Sequence, residues 1–333
     1  MLGQVPRRPT DTGGMFSVSY YSENSDGRAA FVKALDYSAA MRHPNSARLL
    51  QAMTESYNFE RDLLDSCQRQ RMSRIVRLLD SGSITDPQFG HTVDYLVFEP
   101  ADGDVRRALD DMDAFDTGWA LRACHHAAVG LQQLHSALVA HQDVKPSNLL
   151  VFGEFMAKLG DLGRSSRQGT AAPHDPAAVR GDPAYAPPEL LYGHVDPDWQ
   201  VRCQACDLYL LGSLILFIFT RTQTTAELLR RLPTVLKPAQ FGGTFGGPYP
   251  TVLPYLINAF DEVTEGFEKQ LAGKRAGELA THFRLLCHPD PTQRGDEKRR
   301  QRGQNPYTLE RLISRLDVLR RDAEVGFLRK STS

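Results

Sequence analysis

Cysteine is scarce in this 333-residue chain, which holds five (Cys67, Cys124, Cys203, Cys206 and Cys287) and a single CxxC pair. That is too few for the disulfide framework of a secreted fold, so a reducing, cytoplasmic setting is expected. A surplus of either charge is also absent: 39 Lys plus Arg stand against 40 Asp plus Glu. Nucleic-acid binding as the main task would need clustered excess cations, because affinity for a phosphate backbone grows with the counterions displaced. Long apolar runs are missing as well. The longest, residues 208–219, falls short of the roughly 20 residues of a spanning helix and reads as a buried helix. Residues 1–12 (MLGQVPRRPTDT) have no apolar stretch after their basic residues, and Leu2 stands where a myristoyl acceptor needs glycine. No secretion signal, lipid anchor or membrane partner is expected.

What is present is globular composition, 41% hydrophobic and 24% charged. At this length folding removes roughly 75% of the unfolded chain's surface from water, enough for division into two lobes. The pattern over residues 16–98 is strand-like (FSVSYY, AAFVKALD, RIVRLLDSG, DYLVFEP), interrupted by one helix over 47–69 where apolar residues recur at helical spacing. Beyond Pro100 long helical segments follow: 119–136, 206–220, 254–270, 277–287 and 308–324. The expected fold is α+β: a sheet-rich lobe over 1–100, a larger helical lobe over 101–325 and a tail over 326–333, with the Pro- and Gly-containing segment 99–103 as hinge.

Residues 139–151, VAHQDVKPSNLLV, are the most informative: an apolar approach, a polar loop, then a short strand. Asp143 can accept or orient a hydroxyl proton, Lys145 can neutralise phosphate charge, and Asn148 offers an amide oxygen to a hard cation. Phosphoryl transfer uses such a set, since its barrier falls chiefly through positioning and charge stabilisation. Eighteen residues past Asp143 a second strand and turn end in Asp161-Leu162-Gly163. Asp161 and Asn148 together suit Mg²⁺, which takes one or two protein oxygens alongside phosphate and water.

These motifs resemble those of the eukaryotic-type Ser/Thr protein kinase family over nearly the whole chain. HQDVKPSN resembles the catalytic loop, DLG the metal-binding triplet, and residues 181–189 (GDPAYAPPE) the end of the activation segment. Asp207 resembles the aspartate that tethers the catalytic loop, and Arg294 the arginine that pairs with Glu189. The resemblance implies a bilobal kinase fold, ATP and Mg²⁺ as cofactors, and transfer of the γ-phosphoryl group to Ser or Thr of a protein substrate, with control from the lobes or from a regulatory protein. It implies Asp143, Lys145 and Asn148 as catalytic residues, with Asn148 and Asp161 at the metal. For nucleotide binding it implies Gly13, Gly14 and Val18 of a reduced glycine loop, Lys33 with Glu60 as its helix partner (Glu55 and Asp62 being alternatives), and backbone groups of Glu99 and Ala101. Asp104 is a ribose candidate and Phe98 gates the rear pocket.

Four departures stand out. Only Gly13 keeps a motif glycine, with Gly14 beside it. Phe31, two before Lys33 on the same strand face, narrows the place of the adenine. Gln142 replaces an arginine that receives an activation-segment phosphate in many family members, so Ser165, Ser166 and Thr170 are expected to be modifiable but dispensable. Asp182 replaces a threonine and could meet Lys145. Cys203 and Cys206 lack a second ligand pair for zinc. His125 and His126 fall in an apolar helix pattern, and residues 298–302 (KRRQR) read as a solvated face. Six aspartates between 102 and 116 suggest a preference for basic substrates. The competing readings are a pseudokinase serving as a binding scaffold and a small-molecule phosphotransferase.

Overall fold

The computed structural model describes residues 2–4, 17–85, 92–271 and 276–331. Five strands, β1 (Leu2–Gln4), β2 (Ser17–Glu23), β3 (Ala29–Leu35), β4 (Leu78–Thr85) and β5 (Thr92–Phe98), form an antiparallel sheet in the order β1-β2-β3-β5-β4. The β2–β3 turn is closed by Asn24, whose Oδ1 accepts the amides of Asp26 (3.0 Å) and Arg28 (2.8 Å). This turn sets Val18 opposite Ala34 and Ser19 opposite Lys33. On its other side β3 places Phe31 opposite Phe98 and Lys33 opposite Leu96. A slip of one residue would turn Lys33 to the other face. Gly13 and Gly14 lie outside the described residues.

Two helices, α1 (Ser38–Met41) and α2 (Ser46–Arg69), connect β3 to β4. Along α2 the buried residues Met53, Tyr57, Glu60, Leu64 and Cys67 recur at three- and four-residue intervals, so one stripe faces the sheet. Glu60 is the charged member of that stripe.

The larger, mainly helical part contains short strands β6 (Gly103–Asp104), β7 (Val139–Ala140), β8 (Leu149–Phe152), β9 (Met156–Leu159) and β10 (Ser166–Arg167). Its helices are α3 (Val105–Asp110), α4 (Thr117–Ser136), α5 (Pro188–Leu191), α6 (Ala205–Thr220), α7 (Thr224–Arg231), α8 (Tyr249–Gln270), α9 (Ala276–Cys287), α10 (Glu297–Gln301) and α11 (Glu310–Ser331). Together with a π-helical turn over Gln200–Gln204, α6 is long and apolar enough to cross a membrane by length and composition, and 89% of that window is buried inside the protein. Helices α4, α7, α8 and α9 pack around it.

One sequence expectation is corrected here, and two others meet further structure. Helix α8 starts at Tyr249 rather than Pro254, because the buried Tyr249 donates its hydroxyl to Pro289 O (2.9 Å) and anchors an extra turn ahead of the proline. Residues 326–331, expected as a tail, continue α11. The acidic run after the hinge is engaged structurally: Asp104 caps α3 and Asp116 caps α4, while Asp110 pairs with Arg221 and Asp111 with Arg107. Asp104 caps α3 through one carboxylate oxygen, with Oδ1 on Arg107 N (2.9 Å).

Candidate active site

The catalytic loop hangs from the first turn of α6. Asp207, fully buried, accepts the backbone amides of His141 (Oδ2, 2.7 Å) and Gln142 (Oδ1, 2.8 Å), with His135 Nε2 2.9 Å from Oδ2. This grip holds Gln142 at a positive φ of 65°, uncommon for a side-chain-bearing residue, and turns Asp143 inward. Antiparallel pairing of β8 with β9 then brings the second motif alongside the first: Leu149 faces Leu159, and Gly160 N donates to Asn148 O at 2.9 Å. His141 Nε2 lies 3.0 Å from Gly160 O and ties the two motifs together. Asp161 adopts a left-handed conformation (φ 59°), while Leu162 behind it is fully buried.

Around Asp143 both carboxylate oxygens are engaged. Oδ1 accepts the amide of Asp182 (2.9 Å); Oδ2 accepts Asn148 Nδ2 (3.0 Å) and lies 3.1 Å from Lys145 Nζ. Asp182 Oδ2 also approaches Lys145, at 3.7 Å. Burial pushes the Asp143 carboxyl above the usual aspartate range, with Lys145 opposing the shift and Asp161 adding to it. A buried carboxylate more basic than usual and backed by an ammonium is suited to accepting a hydroxyl proton.

A second cluster joins the sheet to this loop. Lys33 Nζ lies 3.0 Å from Glu60 Oε2 and 3.0 Å from Asp161 Oδ1. Burial would lower the Lys33 pKa, but the charges of Asp161 and Glu60 more than reverse it and keep the ammonium charged. The same Lys33 charge holds Asp161 down to about 2 against burial, while burial raises Glu60. Of the three candidate partners for Lys33, Glu60 is the one in place; Glu55 accepts from Gln51 (2.8 Å) and Asp62 from Arg61 (2.9 Å). Since Asn148 donates through its amide nitrogen, its side-chain oxygen is left to accept; that oxygen and the Asp161 carboxylate are hard donors of the kind a magnesium ion takes.

At the hinge, the Glu99 N–H donates to Arg77 O (3.1 Å) and its side chain takes Lys158 Nζ (2.6 Å) and Arg77 N (2.8 Å). Glu99 therefore has only its carbonyl to offer a base. Ala101 follows, half-buried, before the Asp102 amide returns to Val151 O (2.9 Å). Val18 lies near the start of β2 on the sheet that carries Lys33. Arg294 holds Glu189 with two bonds (2.7 and 2.6 Å) in the fully buried interior. Ser165 and Ser166 are buried, with 0% and 1% exposure, so the expectation that they are modifiable is corrected; Thr170 is exposed.

The profile of the protein kinase domain family matches residues 13–229. The chain belongs to the protein kinase domain family. Among curated relatives, it is 30% identical to the serine/threonine-protein kinase par-4 of Caenorhabditis elegans over 155 residues (44% of this chain, 24% of the relative). It is 35% identical to the serine/threonine-protein kinase fused of Drosophila melanogaster over 115 residues (33% and 14%), and 27% identical to the serine/threonine-protein kinases drp72 of Corynebacterium efficiens over 202 residues (60% and 35%). The chain thus spans about a third or less of the length of these relatives.

In this kinase domain the segment after Asp161 closes on Asp143 at Gly181. A Cβ there would sit 2.5 Å from Gln142 O and 2.6 Å from Asp143 Oδ1, so only glycine allows the approach. Gly181→Ala is expected to lower phosphoryl transfer roughly 100-fold, as displacement of a reacting group by about 1 Å does. A steady-state assay checks this; activity within threefold of wild type would show that the contact is not needed. Sequence reasoning missed Arg180, Asp175 and Lys158. Arg180 could have been suspected from its place beside Gly181, but nothing local pointed to the other two.

Proposed function

We propose that this domain transfers the γ-phosphoryl group of ATP, as its Mg²⁺ complex, to a Ser or Thr hydroxyl of a protein. The observation that carries the reading is the closed set Glu60–Lys33–Asp161 facing Asp143, Lys145 and Asn148, joined by bonds of 3.0–3.2 Å. The magnesium nucleotide supplies the electrophilic phosphorus and screens its charge. Lys33 holds the nucleotide phosphates, Asp161 and Asn148 present oxygens to the metal, Asp143 orients the hydroxyl and takes its proton, and Lys145 steadies the transferred group. Lys145, two residues after Asp143, favours Ser/Thr over Tyr acceptors. The five cysteines are free and buried, which suits a reducing compartment such as the cytoplasm. Radiolabelled ATP with a mixed Ser/Thr and Tyr peptide set, run against Asp143→Asn, tests the proposal; equal background incorporation by both proteins would refute it.

A pseudokinase scaffold is the second reading, and Phe31 favours it. The ring shares the β3 face with Lys33, meets Tyr21 edge-on at a centroid distance of 5.8 Å and packs on the core that contains Phe98. If the ring narrows the nucleotide's place, Phe31→Ala tightens ATP binding by about threefold or more, roughly 0.7 kcal/mol. Calorimetric titration measures this directly, and an unchanged Kd would show that the ring stands clear of the base.

A further inference from the structure

Two charged side chains between Asp161 and Glu189 take no part in the chemistry above, yet one, Arg180, reaches the catalytic loop and the other, Asp175, pairs with it. Arg180 is 7% exposed. Its NH1 donates to Gln142 Oε1 (2.9 Å) and Cys203 Sγ (3.3 Å), and its NH2 lies 3.4 Å from Asp175 Oδ1. Asp175 is itself held firmly: Oδ1 accepts the Ser166 hydroxyl (3.1 Å) and Oδ2 the Ala172 amide (2.8 Å). Ser166 Oγ in turn accepts the Trp199 indole N–H (3.1 Å). The contacts run from the outer turn of the segment, through Arg180, to the residue preceding Asp143.

Glutamine is the side chain suited to the middle of this chain. Its carbonyl accepts from the cation Arg180, while its amide donates to Cys203 O (2.8 Å) and to the anion Asp207 (Oδ1, 3.2 Å). A second arginine at 142 would set two buried cations against each other. The positive φ of Gln142 persists because contacts on both sides over-determine it. Directly after Arg180, Gly181 packs on Gln142 O and Asp143, and Asp182 donates its amide to Asp143. Where Arg180 sits therefore sets where Asp143 points.

We infer that Asp175 and Arg180 are positioning residues for Asp143, an ion pair supplied by the chain itself that orders the catalytic loop without a phosphate on this segment. The inference rests on the proposed phosphoryl transfer. Because the Ser166 hydroxyl is buried between Asp175 and Trp199, a phosphate there would set like charges together and dismantle the arrangement.

The test uses the full chain after phosphatase treatment, confirmed phosphate-free by mass spectrometry. Asp175→Ala should lower kcat at least tenfold with KM for ATP within twofold of wild type, and Asp175→Glu should recover most of the loss. Wild type should keep its kcat through the phosphatase step. An Asp175→Ala kcat within twofold of wild type, or collapse of wild-type kcat on dephosphorylation, overturns the inference. Arg180→Lys, which keeps the charge but loses the fork, should show the same kcat-selective loss and serves if Asp175→Ala does not fold. Should wild type and Asp143→Asn prove equally inactive, the transfer reading is what fails. Amide exchange then decides positioning alone: faster exchange over residues 139–150 in Asp175→Ala supports it, and unchanged protection overturns it.

Discussion

Asp143→Asn is expected to lower phosphoryl transfer by about 10³-fold while Kd for the magnesium nucleotide changes little. The substitution keeps the shape and the acceptor for Asp182 N, removes the negative charge that the proposed mechanism uses to draw the hydroxyl proton, and takes away the Oδ2 acceptor that meets Asn148 and Lys145. Asp161→Asn should behave differently. Its carboxylate is the anion paired with Lys33 and would be the charged oxygen donor to the metal in the proposed reaction, so both transfer and magnesium-dependent nucleotide affinity should fall. Comparing calorimetric Kd with kcat for the two variants separates holding from proton acceptance. Retention of full activity by either would remove the mechanism. The wild-type pH profile carries the same assignment. Burial raises Asp143 above the ordinary aspartate range, and the proposed mechanism needs its carboxylate form, so kcat/KM should fall on the acid side at higher pH than for an exposed aspartate. Asp161, held at about 2, stays ionised throughout that range.

Arg294→Ala should be the most destabilising single change, by about 3–5 kcal/mol. The guanidinium is fully buried, bonds both oxygens of Glu189, donates to the carbonyls of His288 (2.7 Å), Pro289 (3.1 Å) and Ala205 (3.2 Å), and lies 4.9 Å above the Tyr209 ring. Removing it leaves the Glu189 carboxylate desolvated and unpaired, against a total stability of roughly 5–15 kcal/mol. Chemical denaturation at neutral pH measures the loss. A change below about 1 kcal/mol would mean that water reaches Glu189 in the variant.

Much of this was legible along the chain because the relevant signals are local. Helices α2, α4, α6 and α9 begin within two residues of their apolar periodicity and end where it does. The catalytic loop and the Asp161 turn were readable because the two motifs flank a short hairpin, β8–β9, whose pairing needs only nearby residues. The errors share a cause. Helix α8 begins a turn ahead of its proline, anchored by a contact with Pro289 far along the chain. Ser165 and Ser166 read as exposed loop hydroxyls, yet the fold covers them. Burial of a polar side chain depends on what other segments bring over it, and no window of sequence contains that information.

The chain by itself determined which chemical groups are available and in what order: the carboxylates, amide and ammonium groups that phosphoryl transfer uses, on segments whose periodicity makes them strand, loop or helix. Tertiary structure alone decided which of three acids meets Lys33, how far Asp143 is desolvated, and that Arg180 reaches Gln142 across 38 positions. Charge and desolvation energies fall off over a few ångströms of space and take no account of separation along the chain, so those outcomes exist only once the lobes and the activation segment have packed.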